Sequence, residues 1–233
     1  MVLGISNITR RGLLKGSGLV LAGGLGGYAL GSSGSNGNNS KSFQVDASGR
    51  PTLGEAGAPV QVFYWTDYQC PFCAKFEHDT FPKLKQDYVE SGKIQFVVMD
   101  VPIFGNDSWT AGMLSTAVWR LYHDSAPDVY WNWHEAVYAH QGKQNSGWAS
   151  KSNLLDLSKT VDGLDVNRLE GYYTKNESDL KSFLGGNISM AQDQGLKGTP
   201  MFDVFDPTTK DVERLTGAQP YARFQYTIDS MTG

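Results

Sequence analysis

The sequence predicts an α/β fold, a central mixed sheet flanked by helices and carrying a large helical insertion. Three observations point there. An apolar, β-branched and aromatic run, Pro59-Val60-Gln61-Val62-Phe63-Tyr64-Trp65, is followed by helical spacing at Phe76, Thr80, Leu84 and Tyr88, and then by a second apolar run over residues 93–101. Strand, helix and strand joined at that length make a parallel unit with a right-handed crossover. Residues 106–194 then keep helical spacing, after which two short strand-like runs appear at 201–205 and 212–215.

Taken in order, the chain opens with Thr9-Arg10-Arg11-Gly12-Leu13-Leu14-Lys15 and a Gly-rich, weakly apolar run to Leu30. This resembles a twin-arginine export signal, so residues 1–31 are expected to be a signal or an uncleaved membrane anchor. The apolar run is short and weak for a comfortable bilayer span, which takes ~20 apolar residues. Residues 32–41, almost wholly Gly, Ser and Asn, read as a flexible linker. Residues 42–233 form the folded domain. Alternation in Ser42-Phe43-Gln44-Val45-Asp46 suggests a first strand, and residues 51–58 read as loop. Strand 59–66 leads into a helix over 70–90 that Pro82 should kink or split. Ser91-Gly92 ends it before strand 93–101.

Within the insertion, helices are expected over 110–122, 127–140, 153–161 and 166–194, the last broken near Gly185-Gly186. Residues 206–210 form a turn between the two returning strands, and residues 220–231 form a closing helix. No internal repeat is present. A net charge of −4 argues against nucleic acid as the main partner. Asn38, Asn106, Asn176 and Asn187 match glycosylation acceptors, a three-residue pattern common by chance.

The chain's only two cysteines sit in Asp67-Tyr68-Gln69-Cys70-Pro71-Phe72-Cys73, between the first strand and its helix. That context places a sulfur at a helix N-terminus, where unpaired N–H groups and the helix dipole favour an anion. Pro71 suits the first helical turn. As a structural staple the pair is poor, since so short a loop contributes only about 2 kcal/mol on the loop-entropy estimate. As half of a zinc site it lacks partners: there is no second Cys pair, and His78, His123, His134 and His140 do not follow finger spacing. A redox dithiol fits every feature, because a lowered thiolate pKa is what such a site needs.

The segment Asp67 to Glu77 resembles the active site of the thioredoxin superfamily, specifically the exported DsbA-type thiol:disulfide oxidoreductases. Gly195-Leu196-Lys197-Gly198-Thr199-Pro200-Met201-Phe202 resembles the family's Gly-x-x-Gly-Thr-Pro loop, whose proline is cis and lies against the sulfurs. The likeness runs from about Pro59 to the C-terminus, and block 106–194 resembles the helical insertion that separates this type from small thioredoxins.

The resemblance implies a thioredoxin fold, no cofactor beyond a redox-active Cys70–Cys73 disulfide, and no metal. Cys70, nearest the helix start and solvent, is then the attacking and attacked sulfur, and Cys73 resolves the mixed disulfide. Thr199 and Pro200 would meet an extended substrate segment, in the manner of strand addition. Phe72 stands where many relatives carry His and offers neither charge nor donor, which implies a less oxidising dithiol. Asp67 and Glu77 are the nearest carboxylates and the candidates for a proton relay to Cys73, although both also read as solvated surface charges. The implied function is oxidation of cysteine pairs in secreted proteins, with recharging by a quinone-linked membrane partner, DsbB-like or vitamin-K-epoxide-reductase-like. Two alternatives remain open: a reductase or isomerase of the same fold, and a non-enzymatic metal- or protein-binding module on that scaffold.

Overall fold

The computed structural model describes residues 43–232. Strands β1 (Thr52–Leu53), β2 (Val60–Thr66), β3 (Ile94–Asp100), β4 (Met201–Phe205) and β5 (Val212–Thr216) form one sheet in the order β1-β3-β2-β4-β5. β2 and β3 are parallel; the other three pairings are antiparallel. The crossover from β2 to β3 carries α1 (Pro71–Asp79), α2 (Phe81–Leu84) and a π-helical turn, Lys85–Val89. Helices α3 (Asn106–Tyr122), α4 (Pro127–Ala139), α5 (Lys151–Ser158) and α6 (Val166–Asp193) make the insertion, and α7 (Tyr221–Thr232) closes the chain.

The pleat sorts each strand's residues onto two faces. Val60, Val62, Tyr64, Ile94, Phe96, Val98, Phe202 and Val204 point to the large core shared with α1, α7 and the insertion. Phe63, Trp65, Val97, Met99 and Met201 point the other way, into a smaller core. Burial on both faces is why β2 and β3 read as nearly continuous apolar runs rather than alternating ones.

Three expectations need correction. Residues 43–46 are not a strand. Phe43 and Val45 instead lie on the smaller core, with the Phe43 ring 5.3 Å from that of Phe63 and 5.0 Å from that of Phe205. Their alternation is used in covering a sheet face. The edge pairing belongs to β1, inside the segment read as loop. The break in α6 falls at Asn176 (φ −115°, ψ 16°) and not at Gly185-Gly186. There the Asn176 amide donates to the Tyr172 carbonyl at 2.8 Å, competing with the backbone for the acceptor four residues back.

The expected interruption of the first helix comes at Thr80, which places Pro82 in the opening turn of α2, where its missing N–H is not needed. Asn187 is buried, accepting from Arg50 Nε at 3.1 Å and donating to the Asp100 carbonyl at 2.9 Å, which leaves no room for a glycan.

One charged group is sealed beneath the sheet. Asp203 of β4 is fully buried and accepts from Arg214 Nε (2.6 Å) and Nη2 (3.0 Å) and from Trp65 Nε1 (2.8 Å). Removing the carboxylate leaves the buried Trp65 indole N–H without its partner, while the partly exposed Arg214 keeps the Gln194 carbonyl, so Asp203→Ala should lose about 1.5–3 kcal/mol of stability. Urea unfolding measures this; a loss below about 1 kcal/mol would mean that the pair is not holding β4 to β5 and β2.

Candidate active site

β2 delivers the chain to the site. Beyond Thr66 the backbone turns, with Cys70 N–H donating to the Asp67 carbonyl at 2.9 Å. Asp67 braces the turn: Oδ1 accepts from Gln69 N–H (2.8 Å), and Oδ2 accepts from the N–H groups of Ile103 (2.7 Å) and Phe104 (3.3 Å). Gln69 ties it to the insertion, donating to Ser108 Oγ (3.0 Å) and accepting from Asn145 N–H (2.7 Å). Gln141 donates to the carbonyls of Tyr68 (2.7 Å) and Cys70 (3.1 Å).

Cys70 is the N-cap of α1, its sulfur accepting from Cys73 N–H at 3.4 Å, and Pro71 occupies the first helical position. Thr199–Pro200 is a cis peptide. The Thr199 carbonyl lies 3.3 Å from the Cys70 sulfur and accepts from its thiol. Pro200 follows, its own carbonyl held by Gly217 N–H at 2.9 Å. Two stretches separated by about 130 residues thus meet at one sulfur.

The expectation of an outward-facing Cys70 needs amending. Both cysteines are free thiols and both are buried, Cys70 at 1 % exposure. The residues presented to solvent are Pro71 and Phe72, the latter 62 % exposed.

The two sulfurs are electrostatically unlike. The hydrogen bond from the Cys73 side chain, joined by the Thr199 side chain and the N–H groups of Cys73 and Phe72, outweighs burial and brings the Cys70 pKa down to about 6. Burial drives the Cys73 thiol well above its ordinary range, and its role as donor to Cys70 adds to this. The Thr66 hydroxyl and the Asp67 backbone act in the opposite sense. One sulfur is therefore a thiolate near neutrality while the other keeps its proton. That combination performs thiol–disulfide exchange.

Neither candidate carboxylate is a surface charge. Burial raises the Asp67 carboxyl, partly offset by its backbone donors. Glu77 lies one turn beyond Cys73, buried, with Oε1 3.1 Å from His134 Nε2. His78 is exposed.

Sequence reasoning missed the polar layer beneath the sulfurs. Tyr68 donates to Ser115 Oγ at 3.0 Å, and its hydroxyl lies 2.7 Å from His134 Nδ1. Tyr138 shares a 2.6 Å hydrogen bond with Thr66. Asp100 at the end of β3 is buried, and burial lifts its carboxyl to about 7. A signal was available: Tyr130, His134 and Tyr138 recur every four residues and so share one face of α4. Among the described residues no cluster of His, Cys, Asp and Glu could hold a metal ion, and no helix is long and apolar enough to cross a membrane.

Comparison with known proteins agrees with this geometry. The family model described as Thioredoxin matches residues 46–230. Disulfide bond formation protein D of Bacillus subtilis is 30% identical over 175 residues, covering 75% of this chain and 76% of that protein. The crystal structure of oxidised BdbD from Bacillus subtilis superposes with a TM-score of 0.70 at 26% identity, over 82% of this chain and 98% of that one. The thiol-disulfide exchange protein α-DsbA2 from Wolbachia pipientis shares the fold, with a TM-score of 0.64 at 23% identity over 78% and 87%. With a paired-cysteine helix, a cis-proline loop against it and a helical insertion above it, the chain belongs to the thioredoxin family and is a DsbA-type thiol:disulfide oxidoreductase.

Proposed function

We propose that this oxidoreductase works outside the cytoplasm as an oxidant of cysteine pairs in secreted proteins. The observation that carries the direction is the unequal stabilisation of the two sulfurs. A Cys70 thiolate held down to about pKa 6 favours the reduced form, so the Cys70–Cys73 disulfide readily accepts electrons. In the forward reaction a substrate thiolate attacks Cys70, the Cys70–Cys73 bond breaks, and Cys73 leaves with the electron pair and takes a proton. A second substrate thiolate then attacks the substrate sulfur of the mixed disulfide and releases Cys70 as a thiolate.

Thr199 and Pro200 meet the substrate backbone beside Cys70. Phe72 and Ile103 give that rim an apolar surface suited to unfolded polypeptide, and they are two of the four exposed large hydrophobics among the described residues. Glu77 serves the Cys73 proton. Asp67, whose oxygens accept three backbone N–H groups, serves as a brace.

The layout proposed is a leader or anchor over 1–31, a linker over 32–41 and the redox domain from 42 onward; the first two lie outside the described residues. The twin-arginine pattern supports export, to a compartment where disulfides persist. An oxidant of this kind needs recharging, and we assign that to a quinone-linked membrane protein, DsbB-like or vitamin-K-epoxide-reductase-like. The name of the Bacillus subtilis relative, a disulfide bond formation protein, supports the oxidising direction.

The direct test is the redox state of the pair in living cells, read by acid quench and thiol alkylation. Mostly disulfide is expected; mostly dithiol would assign a reductase or isomerase instead.

In vitro, the Cys70 thiolate should titrate near pH 6 by ultraviolet absorbance, and Cys70→Ser should abolish the signal and the oxidation of a reduced peptide. Because the folded-state pKa lies below the unfolded value, the thiolate's contribution to the reduced protein's stability is complete above the unfolded pKa. It is lost as the pH falls through about 6. Thermal unfolding of reduced protein should therefore show a midpoint that rises between about pH 6 and 9. A titration midpoint at or above the ordinary thiol value would refute the assignment.

Phe72→His adds a donor in the first turn of α1 and should raise the reduction potential by about 30 mV or more, a tenfold shift in the glutathione equilibrium. An unchanged or lower potential would show that this position does not tune the couple.

A further inference from the structure

The reaction requires Cys73 to gain and lose a proton in a place closed to water. Cys73 is fully buried, and against the upward push of burial the Thr66 hydroxyl at the end of β2 favours its thiolate. Thr66 Oγ1 is 2.6 Å from Tyr138 Oη, and both residues are buried. Tyr138 in turn lines a cavity of about 510 Å³ behind the redox helix, together with Glu77, His134, Phe81 and Trp131. Exposed His78, Lys85 and Glu135 form other parts of its wall, so the cavity opens to solvent. The buried end thus holds the Glu77 and His134 side chains 3.1 Å apart, beside the Tyr138 phenol that is hydrogen-bonded to Thr66.

We propose that the hydroxyls of Thr66 and Tyr138 form a proton relay joining the Cys73 sulfur to Glu77 and His134 at the inner end of this cavity. It rests on the thiol-exchange reading and supplies a route for that reaction's proton. When Cys73 leaves Cys70 as a thiolate, its sulfur takes the Thr66 hydroxyl proton. Thr66 is refilled from Tyr138, and Tyr138 from the Glu77–His134 pair through cavity water, which bulk solvent recharges.

When Cys73 instead attacks a mixed disulfide on Cys70, the same protons move outward and the pair accepts one. The S–S bond between Cys73 and Cys70 forms, and the bond from Cys70 to its partner breaks. In this relay Thr66 is the group that exchanges a proton with the sulfur; Tyr138 and His134 act through others and are positioning residues.

The ionisable groups facing the relay come from every element around it. Tyr64 comes from β2, Glu77 from α1 and Asp100 from β3; Tyr68 and Cys70 precede α1, and His134 lies on α4. Asp100 is the cross-strand partner of Thr66 and Asp67 follows Thr66 in the chain, whereas Glu77 shares the cavity wall with Tyr138.

The test follows reduced full-length protein mixed with oxidised glutathione, acid-quenched, alkylated and weighed across a pH series. The first step, a mixed disulfide on Cys70, reports the thiol-exchange reading; the second, its resolution by Cys73, reports the relay. Thr66→Val and Tyr138→Phe should each slow only the second step, by about tenfold or more near neutral pH, the low end of what positioned proton transfer contributes. The deficit should close at high pH, where hydroxide takes the proton. The wild type's second step should slow in deuterated water.

Absence of the first step in the wild type would overturn the thiol-exchange reading. A normal first step with a second step unchanged in both variants at every pH would overturn the relay alone. A deficit independent of pH, or a Cys70 titration that moves with it, would assign a merely structural role and overturn it equally. Tyr138→Phe keeps the ring stacked on Tyr68, 4.9 Å away, and Thr66→Val keeps the strand's shape, so at least one variant is expected to fold.

Discussion

Trp65 pairs with Met201 across the antiparallel seam between β2 and β4, and this register joins the two halves of the site. With that pairing, the residues just past the end of β2 and just before the start of β4 emerge side by side. Cys70 therefore meets the Thr199 carbonyl, although 129 positions separate them in sequence. A slip of one residue would turn every side chain of β4 to the opposite face. Phe202 would leave its stacking on Tyr64, 4.9 Å away, and Asp203 would enter the large apolar core without Arg214. The buried Asp203 contact thus penalises the wrong register at the point where the register positions the chemistry.

Given that placement, the difference between the sulfurs follows from depth along one helix. Cys70 sits at the N-cap, where backbone N–H groups are unspent and a thiolate finds donors. Cys73 lies one turn in, where the sulfur is closed to water and burial favours the thiol. Two intervening residues are enough to keep the sulfurs within reach while giving them opposite electrostatic settings. Phe72 adds bulk at the rim without adding charge, so the difference rests on the hydrogen bond from Cys73 to Cys70, on the backbone N–H groups and on burial.

Much of the fold was legible in the chain because its signals are local. Strand 60–66, strand 94–100 and the four insertion helices follow from period-two and period-3.6 patterns, and the split near Pro82 follows from a missing donor. The errors arose where a local pattern has two physical uses. Alternation at Phe43 and Val45 suits either an edge strand or a cover for a sheet face, and only the tertiary surroundings decide. Two glycines at 185–186 weaken a helix but do not break it; a side-chain amide at Asn176 does. At the site, Cys70, Cys73, Thr199 and Pro200 were legible as motifs. The burial of Asp67 and Glu77 was not, because it depends on α3, α4 and the loop after β3 closing over them.

The layer under the sulfurs shows what the helical insertion adds beyond bulk. Burying Tyr68, Tyr130, His134, Tyr138, Ser115 and Glu77 together costs free energy unless each finds a partner. Most do, through a chain running from Ser115 to Glu77. The exceptions are concentrated. Among the described residues five buried side-chain polar atoms lack a partner, and three belong to Tyr64, Asp100 and Thr199, around the site. The Thr199 hydroxyl bears on the Cys70 sulfur, which alternates between thiolate and disulfide, and makes no other side-chain hydrogen bond that would withdraw it from the thiolate.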